Sequence, residues 1–329
     1  MSKLRTVYVT RPIPESSLTR LRESCDVEMN PEDRPLTREE LLPAVRGRDA
    51  VLTMLHDTVN AELLDAALPT CRIFANYAVG YNNMDIPAAT ERGVFLSNTP
   101  DVLTDATADM AWALLFAVAR RVVEGDRYTR AGKFKGWAPL FMLGLDIIGK
   151  TLGIIGAGRI GQAVAHRASG FHMKIIYTAQ SRKVDFEGET GARFVDTDTL
   201  LRESDFVTLH VPLTPRTHHL IGEREFSLMK PSAVLINTSR GPVIDEKALV
   251  KALRDRVIWG AGLDVYEREP LVEQGLSGLD NVVLCPHLGS STLETRVKMG
   301  VLASENILAA LSGGIPPTCL NPEAAGRRR

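Results

Sequence analysis

The stretch "TLGIIGAGRIGQAVAHRASGF", residues 151–171, decides the fold. An apolar run suited to a buried strand (151–155) leads into "GAGRIG", and a helical pattern follows. G-x-G-x-x-G alone is a weak signal, because any strand-to-helix turn needs small residues. In this context Gly156 allows the tight turn, Gly158 lets a pyrophosphate approach the backbone, and Gly161 lets helix pack on strand. The amides at the helix start would face the phosphates, so the stretch predicts a dinucleotide site.

The alternation of short β-rich runs with helical patterns continues on both sides of this stretch. The runs after residue 150 are 151–156, 174–179, 206–211, 233–238, 259–265 and 281–287, and those before it are 6–10, 50–55, 72–79 and 93–98. Two such series predict an α/β fold with two doubly wound parallel-sheet domains, Rossmann-like or flavodoxin-like, and a cleft between them.

The order of the two series predicts the domain boundaries. The helical pattern at 294–314 follows the second series and is expected to return to the first domain. The substrate-binding domain would then be discontinuous, formed by residues 1–99 and 289–329, with the dinucleotide-binding domain at 100–288. A length of 329 residues also favours two domains over one.

Composition excludes several classes of partner. Lys+Arg 39 against Asp+Glu 40 gives a net charge of −1, which favours neither nucleic acid nor a membrane surface. No apolar run approaches the length of a membrane span, and the N-terminus has no signal-peptide pattern. The four cysteines are scattered and have no zinc-ligand spacing, which predicts reduced thiols, a cytoplasmic location and no metal.

A helix between the two series bears on oligomeric state. Pro100 suits a first helical position, with Thr99 as the cap and Asp101 in the first turn. Residues 110–119, "MAWALLFAVA", are apolar on every side. Such a helix must be covered all round, by its own domain or by another subunit. We expect the second, and therefore a homodimer.

The turn after the second strand of the dinucleotide unit bears on the type of cofactor. An NAD site expects an acidic residue at the end of this strand, where the sequence has Thr178. Ser181, Arg182 and Lys183 follow, and a hydroxyl with two cations could bind a 2′-phosphate. The alternative is a solvated basic turn. The pattern favours NADP as the cofactor, with NAD possible.

Three polar residues lie just beyond strand ends in the second series. Arg240 follows "AVLINTS", Glu269 lies in "DVYEREP" and His287 follows "NVVLCP". Parallel strands end at one edge of the sheet, where open α/β sheets bind ligands. Taken singly, Arg240 could pair with Asp245, Glu269 could belong to a solvated loop, and His287 could bond to backbone.

As a set, the three residues indicate a reaction. The Arg240 guanidinium suits a substrate carboxylate, and His287 can give or take a proton near neutral pH. A neighbouring Glu269 would hold the imidazole by one nitrogen and favour its charged form. Beside a hydride carrier, this set predicts reduction of a small 2-keto acid to the 2-hydroxy acid.

Several motifs resemble the D-isomer-specific 2-hydroxyacid dehydrogenases: "GAGRIGQAVA", "LHVPLTPRTHHLI", "LINTSRGPVIDEKAL", "GLDVYEREP" and "PHLGSST". Residues 76–94 and 98–109 resemble the glyoxylate/hydroxypyruvate reductase branch. The resemblance covers almost the whole chain. It implies that Arg240 binds the carboxylate and the carbonyl, that Glu269 is the partner of the histidine, and that His287 is the acid/base.

The resemblance also implies the remaining site residues. The cofactor contacts it implies, beyond the glycine turn, are Arg159, Ile160, His210, Pro212, Thr217, Thr238, Asp264 and Thr104. Asp264 would contact the nicotinamide amide, or else cap local backbone. Substrate contacts are implied for Leu55, beside Met54, and for the backbone of Val79 and Gly80. Trp137 resembles a tryptophan that enters the partner's active site.

Two alternatives stay open. One is another enzyme of the family, of D-lactate or phosphoglycerate type, although "YAVGYNN" offers no basic residue for a phosphate. The other is a dinucleotide-sensing binding protein like the corepressors that share this fold, which can retain the three polar residues. The sequence shows no long docking tail of the kind that such a protein would use.

Overall fold

The computed structural model describes residues 4–327, which form two units. The chain up to Leu103 and the chain from Ser291 onward make the first unit, and Thr104–Ser290 makes the second. The strands are β1 (Arg5–Val9), β2 (Cys25–Met29), β3 (Ala50–Thr53), β4 (Ile73–Asn76), β5 (Phe95–Ser97), β6 (Thr151–Ile155), β7 (Lys174–Thr178), β8 (Arg193–Phe194), β9 (Phe206–Leu209), β10 (Val234–Asn237), β11 (Gly260–Leu263) and β12 (Val282–Leu284). The α-helices are α1 (Thr19–Ser24), α2 (Arg38–Ala44), α3 (Ala61–Ala67), α4 (Ile86–Glu91), α5 (Thr104–Ala119), α6 (Val122–Arg130), α7 (Arg159–Ala168), α8 (Val184–Thr190), α9 (Thr197–Glu203), α10 (Glu223–Leu228), α11 (Glu246–Arg254) and α12 (Leu293–Leu311).

The first unit is built on a parallel sheet of five strands in the order β2-β1-β3-β4-β5. Every residue of β3 and β4 is buried, as expected for central strands covered on both faces. Helix α12, from the end of the chain, packs on β4 within this unit. Helix α2 begins with a capping box, because Thr37 and Glu40 each accept a hydrogen bond from the other's backbone amide.

The second unit is built on a parallel sheet of seven strands in the order β12-β11-β10-β9-β6-β7-β8. The order reverses at β6, so the turn after β6 lies at a switch point, where open α/β sheets bind ligands. The predicted fold class, two doubly wound parallel-sheet units, is confirmed.

Helix α5 differs from its prediction in two ways. It begins at Thr104, because Asp101 adopts a left-handed backbone with φ 69° and so cannot lie in a first helical turn. It is also covered mainly by its own unit, and the expectation that another subunit covers it was wrong. Glycines on β11 make room for it: a Cβ at Gly262 would lie 2.9 Å from Leu114.

In the part of the chain that the structure describes, every helix falls short of the length and apolar character that a bilayer span requires. Within the same residues, no group of three His, Cys, Asp or Glu side chains is arranged to hold a metal ion. The cytoplasmic location expected from the thiols stays a prediction.

Candidate active site

The glycine turn after β6 has the shape that its sequence predicts. Gly156 has φ 101°, and a Cβ there would lie 2.6 Å from the carbonyl oxygen of His210. At Gly161 a Cβ would lie 2.1 Å from the Gly156 carbonyl oxygen, so only glycine lets α7 pack this closely. At Gly158 a Cβ would meet nothing within 4 Å, which leaves the backbone there accessible to a ligand.

Two further features fit a dinucleotide at this edge of the sheet. Helix α7 begins at Arg159, directly after Gly158, and first-turn amides have no partner inside a helix, so this terminus suits a phosphate. Thr238, the residue after β10, has a buried hydroxyl with no hydrogen-bond partner among residues 4–327. A buried hydroxyl is costly unless it is paired, and a bound ligand would supply the partner. The residues present therefore fit a dinucleotide.

The basic turn after β7 has a more neutral character than its sequence suggests. The Arg182 guanidinium binds the carboxylate of Glu187 at distances of 2.7–2.9 Å. This contact, with a hydrogen bond from the hydroxyl of Tyr177, holds the pKa of Glu187 below its ordinary value. The Lys183 ammonium lies 3.3 Å from the hydroxyl of Ser181. The structure thus places Ser181, Arg182 and Lys183 in one turn, where Arg182 already pairs with the carboxylate of Glu187.

Other predicted cofactor residues shape the loop after β9. The Thr217 hydroxyl donates to the Pro212 carbonyl (2.6 Å) and accepts from the Thr214 amide (2.8 Å), which closes the loop on itself. The His210 Nε2 lies 2.8 Å from the Thr208 hydroxyl, and burial lowers the pKa of His210 to about 3. This histidine is therefore neutral. Thr104 is the first residue of α5, and Ile160 is half-buried in the first turn of α7.

Glu269 and His287 form a direct pair. One carboxylate oxygen of Glu269 lies 2.8 Å from the Nδ1 of His287, and the other accepts the amide of Tyr266 at 3.1 Å. Burial raises the pKa of Glu269, but the hydrogen bond and the charge of His287 outweigh burial and bring that pKa below its ordinary value. With Nδ1 on the carboxylate, Nε2 is the atom of His287 that can serve a substrate.

Asp264 holds the loop that carries His287. Its two carboxylate oxygens accept the amides of Leu288 (2.6 Å) and Gly289 (2.7 Å). His287 itself has a left-handed backbone with φ 57°, a conformation that neighbouring contacts must stabilise. Burial raises the pKa of Asp264 despite these two amides. The structure thus places Asp264 as a backbone cap, and a nicotinamide contact stays a prediction.

Arg240 is placed by its neighbours in sequence and by the next strand. The Asn237 side-chain amide donates to the carbonyl of Arg240 (2.9 Å), which sets the turn after β10. A Cβ at Gly241 would lie only 1.8 Å from the backbone of Tyr266, so this glycine lets the loops after β10 and β11 meet. Burial lowers the pKa of Arg240, and the negative charge of Glu269 acts in the opposite direction. The guanidinium is thus within electrostatic reach of the Glu269–His287 pair.

Asp245 is the residue that the sequence offered as an alternative ion-pair partner for Arg240. The Asp245 carboxylate accepts the Ala248 amide (3.1 Å) as the N-cap of α11.

Because β10, β11 and β12 are neighbours in the sheet, the residues after them lie along one edge. Sequence reasoning missed Asn237 and Gly241, although both lie inside the motif that it singled out around Arg240.

The residues that the resemblance assigned to substrate in the first unit lie after β3 and β4. Leu55 follows β3 by two residues, and Val79 and Gly80 lie in the loop after β4. Two asparagines hold that loop: Asn98 donates to the Val79 carbonyl (2.7 Å), and Asn76 donates to the Gly80 carbonyl (2.9 Å). Both asparagines were missed, although each ends or follows a buried strand, where a polar side chain is itself a signal.

A glycine turn shaped for a dinucleotide and a histidine–carboxylate pair near an arginine share one edge of the second sheet. These are features of a dinucleotide-dependent dehydrogenase. Residues 112–289 match the family model of the "D-isomer specific 2-hydroxyacid dehydrogenase, NAD binding domain". The chain is also 52% identical to the glyoxylate reductase of Thermococcus onnurineus over 98% of either protein.

Solved structures agree with this match. A glyoxylate reductase from Paecilomyes thermophila is 34% identical and has a TM-score of 0.86, covering 97% of this chain and 99% of that one. An NADPH-dependent glyoxylate/hydroxypyruvate reductase from Sinorhizobium meliloti, in complex with NADP and malonate, is 32% identical with a TM-score of 0.84, over 97% of this chain and 98% of that one. The chain belongs to the D-isomer-specific 2-hydroxyacid dehydrogenase family. The predictions of family and of enzyme class are confirmed.

Proposed function

We propose that this enzyme reduces glyoxylate, hydroxypyruvate or both to the 2-hydroxy acid, with NADPH or NADH as the reductant. The observation that carries the proposal is the 2.8 Å contact between Glu269 and His287, at the sheet edge that also presents Arg240. The reductases that the chain resembles over nearly its whole length support the choice of substrate.

Each residue of the set has one task in this reaction. Arg240 binds the substrate carboxylate, and the resemblance to the family also assigns the backbone amides of Val79 and Gly80 to the substrate. His287 donates the Nε2 proton to the carbonyl oxygen, which becomes the hydroxyl, and the imidazole takes a proton back from water. Glu269 stabilises the charged imidazole and fixes its orientation. The dinucleotide, when bound, supplies the hydride that the carbonyl carbon accepts.

The test is oxidation of NADPH and of NADH, followed by absorbance, across a panel of small 2-keto acids. Turnover of glyoxylate or hydroxypyruvate above that of pyruvate or a phosphorylated keto acid supports the proposal. A His287→Gln variant should lose about 10²–10⁴-fold in kcat. His166→Gln, on the exposed face of α7, is the control and should keep full activity. No turnover of any 2-keto acid would defeat the proposal.

We also propose that NADPH is preferred. The support is the hydroxyl and the two cations of Ser181, Arg182 and Lys183 in one turn. Glu187 competes for Arg182, so the preference over NADH should be moderate. The ratio of kcat/KM for the two cofactors measures it directly, and a ratio in favour of NADH would contradict it.

The arm between α6 and β6 supports a proposed homodimer. Trp137 is 85% exposed and Leu140 81%, and Phe134 and Leu143 are each 56% exposed, so the arm presents an apolar surface to solvent. Such surfaces mark interaction sites. We propose that a second copy covers the arm, with Trp137 directed to the partner's active site. Sedimentation that gives a monomeric mass at micromolar concentration would contradict the dimer.

A further inference from the structure

Two glutamates join the start of α11 to the loop that carries Glu269. The carboxylate of Glu246 accepts the backbone amide of Glu267 (3.0 Å), and the carboxylate of Glu267 accepts the backbone amide of Glu246 (2.8 Å). Glu246 is 2% exposed and is the first residue of α11. A buried carboxyl group is costly unless hydrogen bonds replace the hydration that it loses, and the bond from the Glu267 amide does this in part.

The contacts of Glu267 lead to the proposed site. Its neighbour Tyr266 donates its amide to Glu269 (3.1 Å) and its hydroxyl to the carbonyl of Cys285 (2.9 Å), two residues before His287. Gly241 packs against the backbone of the same two residues, Tyr266 and Glu267. Glu246 therefore holds the chain at Glu267, beside the contacts of Tyr266 and Gly241 that join the loops after β10, β11 and β12.

We propose that the reciprocal hydrogen bonds between Glu246 and Glu267 act as a positioning clamp, which holds Glu269, and through it His287, in the arrangement that proton transfer requires. The inference rests on the proposed function, because it deepens the role of the same site. Glu246 is then a positioning residue that acts through Tyr266 and Glu267.

The charges around Glu246 give the clamp a dependence on pH. Burial raises the pKa of Glu246 to about 7, although the hydrogen bond from the Glu267 amide lowers it. The nearby carboxylates of Glu267 and Glu273 raise it further, and Arg268 opposes them. On the other side, His219 Nε2 lies 3.2 Å from the Glu267 carboxylate. Below pH 7 the carboxyl group of Glu246 is mainly protonated and carries no charge. Above pH 7 Glu246 is mainly ionised, and repulsion by the carboxylate of Glu267 weakens the clamp.

The direction of this pH dependence follows from the linkage between proton binding and folding. Folding raises the pKa of Glu246 from 4.5 to about 7, so the folded protein binds this proton more tightly. The stability that Glu246 contributes is complete below pH 4.5 and is lost as the pH rises through about 7. A glutamine at this position keeps the acceptor oxygen but cannot ionise, so it should keep the clamp closed at high pH.

The experiment compares Glu246→Gln and Glu246→Ala with the wild-type enzyme in the reduction of glyoxylate between pH 6 and 8.5. Glu246→Ala should lose at least about tenfold in kcat, with little change in the KM of the cofactor, because displaced catalytic groups slow the reaction. The ratio of kcat for Glu246→Gln to that of wild type should be near one at pH 6. It should rise to about threefold by pH 8.5 as the wild-type carboxyl ionises. The other ionisable groups of the site are common to both enzymes, so their effects largely cancel in this ratio.

Glu223→Gln is the matched control, because Glu223 also begins a helix, α10, but is exposed and pairs with Lys251. The ratio of kcat for Glu223→Gln to that of wild type should stay near one from pH 6 to 8.5. A Glu246→Gln ratio that stays flat with pH would overturn the clamp, and this holds even if Glu246→Ala fails to fold. If the wild-type enzyme turns over no 2-keto acid, the proposed function is wrong. The clamp is then tested separately by melting temperatures across the same pH range. A difference in melting temperature in favour of Glu246→Gln that widens above pH 7 supports the clamp, and a difference that is constant with pH overturns it.

Discussion

Gly241→Ala is the substitution for which the structure predicts the sharpest effect. The added Cβ would lie 1.8 Å from the carbonyl carbon of Tyr266, 2.0 Å from its oxygen and 2.3 Å from the amide nitrogen of Glu267. These are backbone atoms, so no side chain can rotate away. To reach an ordinary contact of 3.4 Å, the loops after β10 and β11 must separate by about 1.6 Å.

This displacement has two measurable consequences. Overpacking in a buried site costs about 1–3 kcal/mol, which should appear as a lower melting temperature. A misplacement of about 1 Å costs about 10²-fold in catalysis, and here it separates Arg240 from the pair of Glu269 and His287. We therefore expect kcat for glyoxylate to fall by about 10²-fold or more. Cofactor affinity should fall much less than kcat, because the glycine turn after β6 is not disturbed, although Thr238 lies in the displaced loop.

The assay is initial-rate kinetics with cofactor affinity from fluorescence titration, at a temperature where the variant is folded. Gly125→Ala, in α6, is the control: its Cβ would meet nothing within 4 Å, and the change should stabilise the helix by about 0.5–1 kcal/mol without altering kcat. A Gly241→Ala enzyme that keeps wild-type kcat would refute the view that close contact of these two loops assembles the site.

Three other substitutions test separate parts of the proposal. Glu269→Gln removes the charge that stabilises protonated His287, so kcat should fall by about 10²-fold in pH–rate profiles, and an unchanged profile would count against the pair. Asn98→Ala removes the hydrogen bond to the Val79 carbonyl. The KM for the keto acid should rise while that for the cofactor stays constant, and initial rates that show the reverse would exclude this role. Arg182→Ala should raise the KM for NADPH by about tenfold and leave that for NADH unchanged, since only NADPH has the 2′-phosphate. Equal effects on both cofactors would show that Arg182 is only a surface residue.

Features set by local sequence could be predicted, and features set by distant contacts could not. The turn at 156–161 follows from the spacing of three glycines within six residues of the chain, and the structure has it as expected. Strand β2 was missed, because two of the five residues in its sequence, "CDVEM", are acidic and the strand lies at the edge of its sheet. The covering of α5 was assigned to another subunit because no local pattern shows that Gly260 and Gly262, almost 150 residues later, clear a path for it.

The same division holds for the candidate site. That Arg240, Glu269 and His287 follow strands of one parallel sheet could be predicted from the order of the strands alone. The role of Glu246 could not be predicted, and capping by Asp264 was considered only for local backbone, because each carboxylate bonds to an amide of another loop. A backbone amide has no signature in the sequence, since every residue except proline carries one.

The reliance on backbone amides has a physical reason. Asp264 is buried and Glu267 is half-buried, and a carboxylate in such a place needs partners that do not cost side-chain entropy. Amides fixed by neighbouring strands meet this need, and a hydrogen bond to a charged group is worth about 1.5–3 kcal/mol. Such bonds can hold His287 in its left-handed conformation, which itself costs about 1–3 kcal/mol. Removing one carboxylate would therefore release the strained loop as well as lose a bond, and the effect on catalysis should exceed the effect on stability.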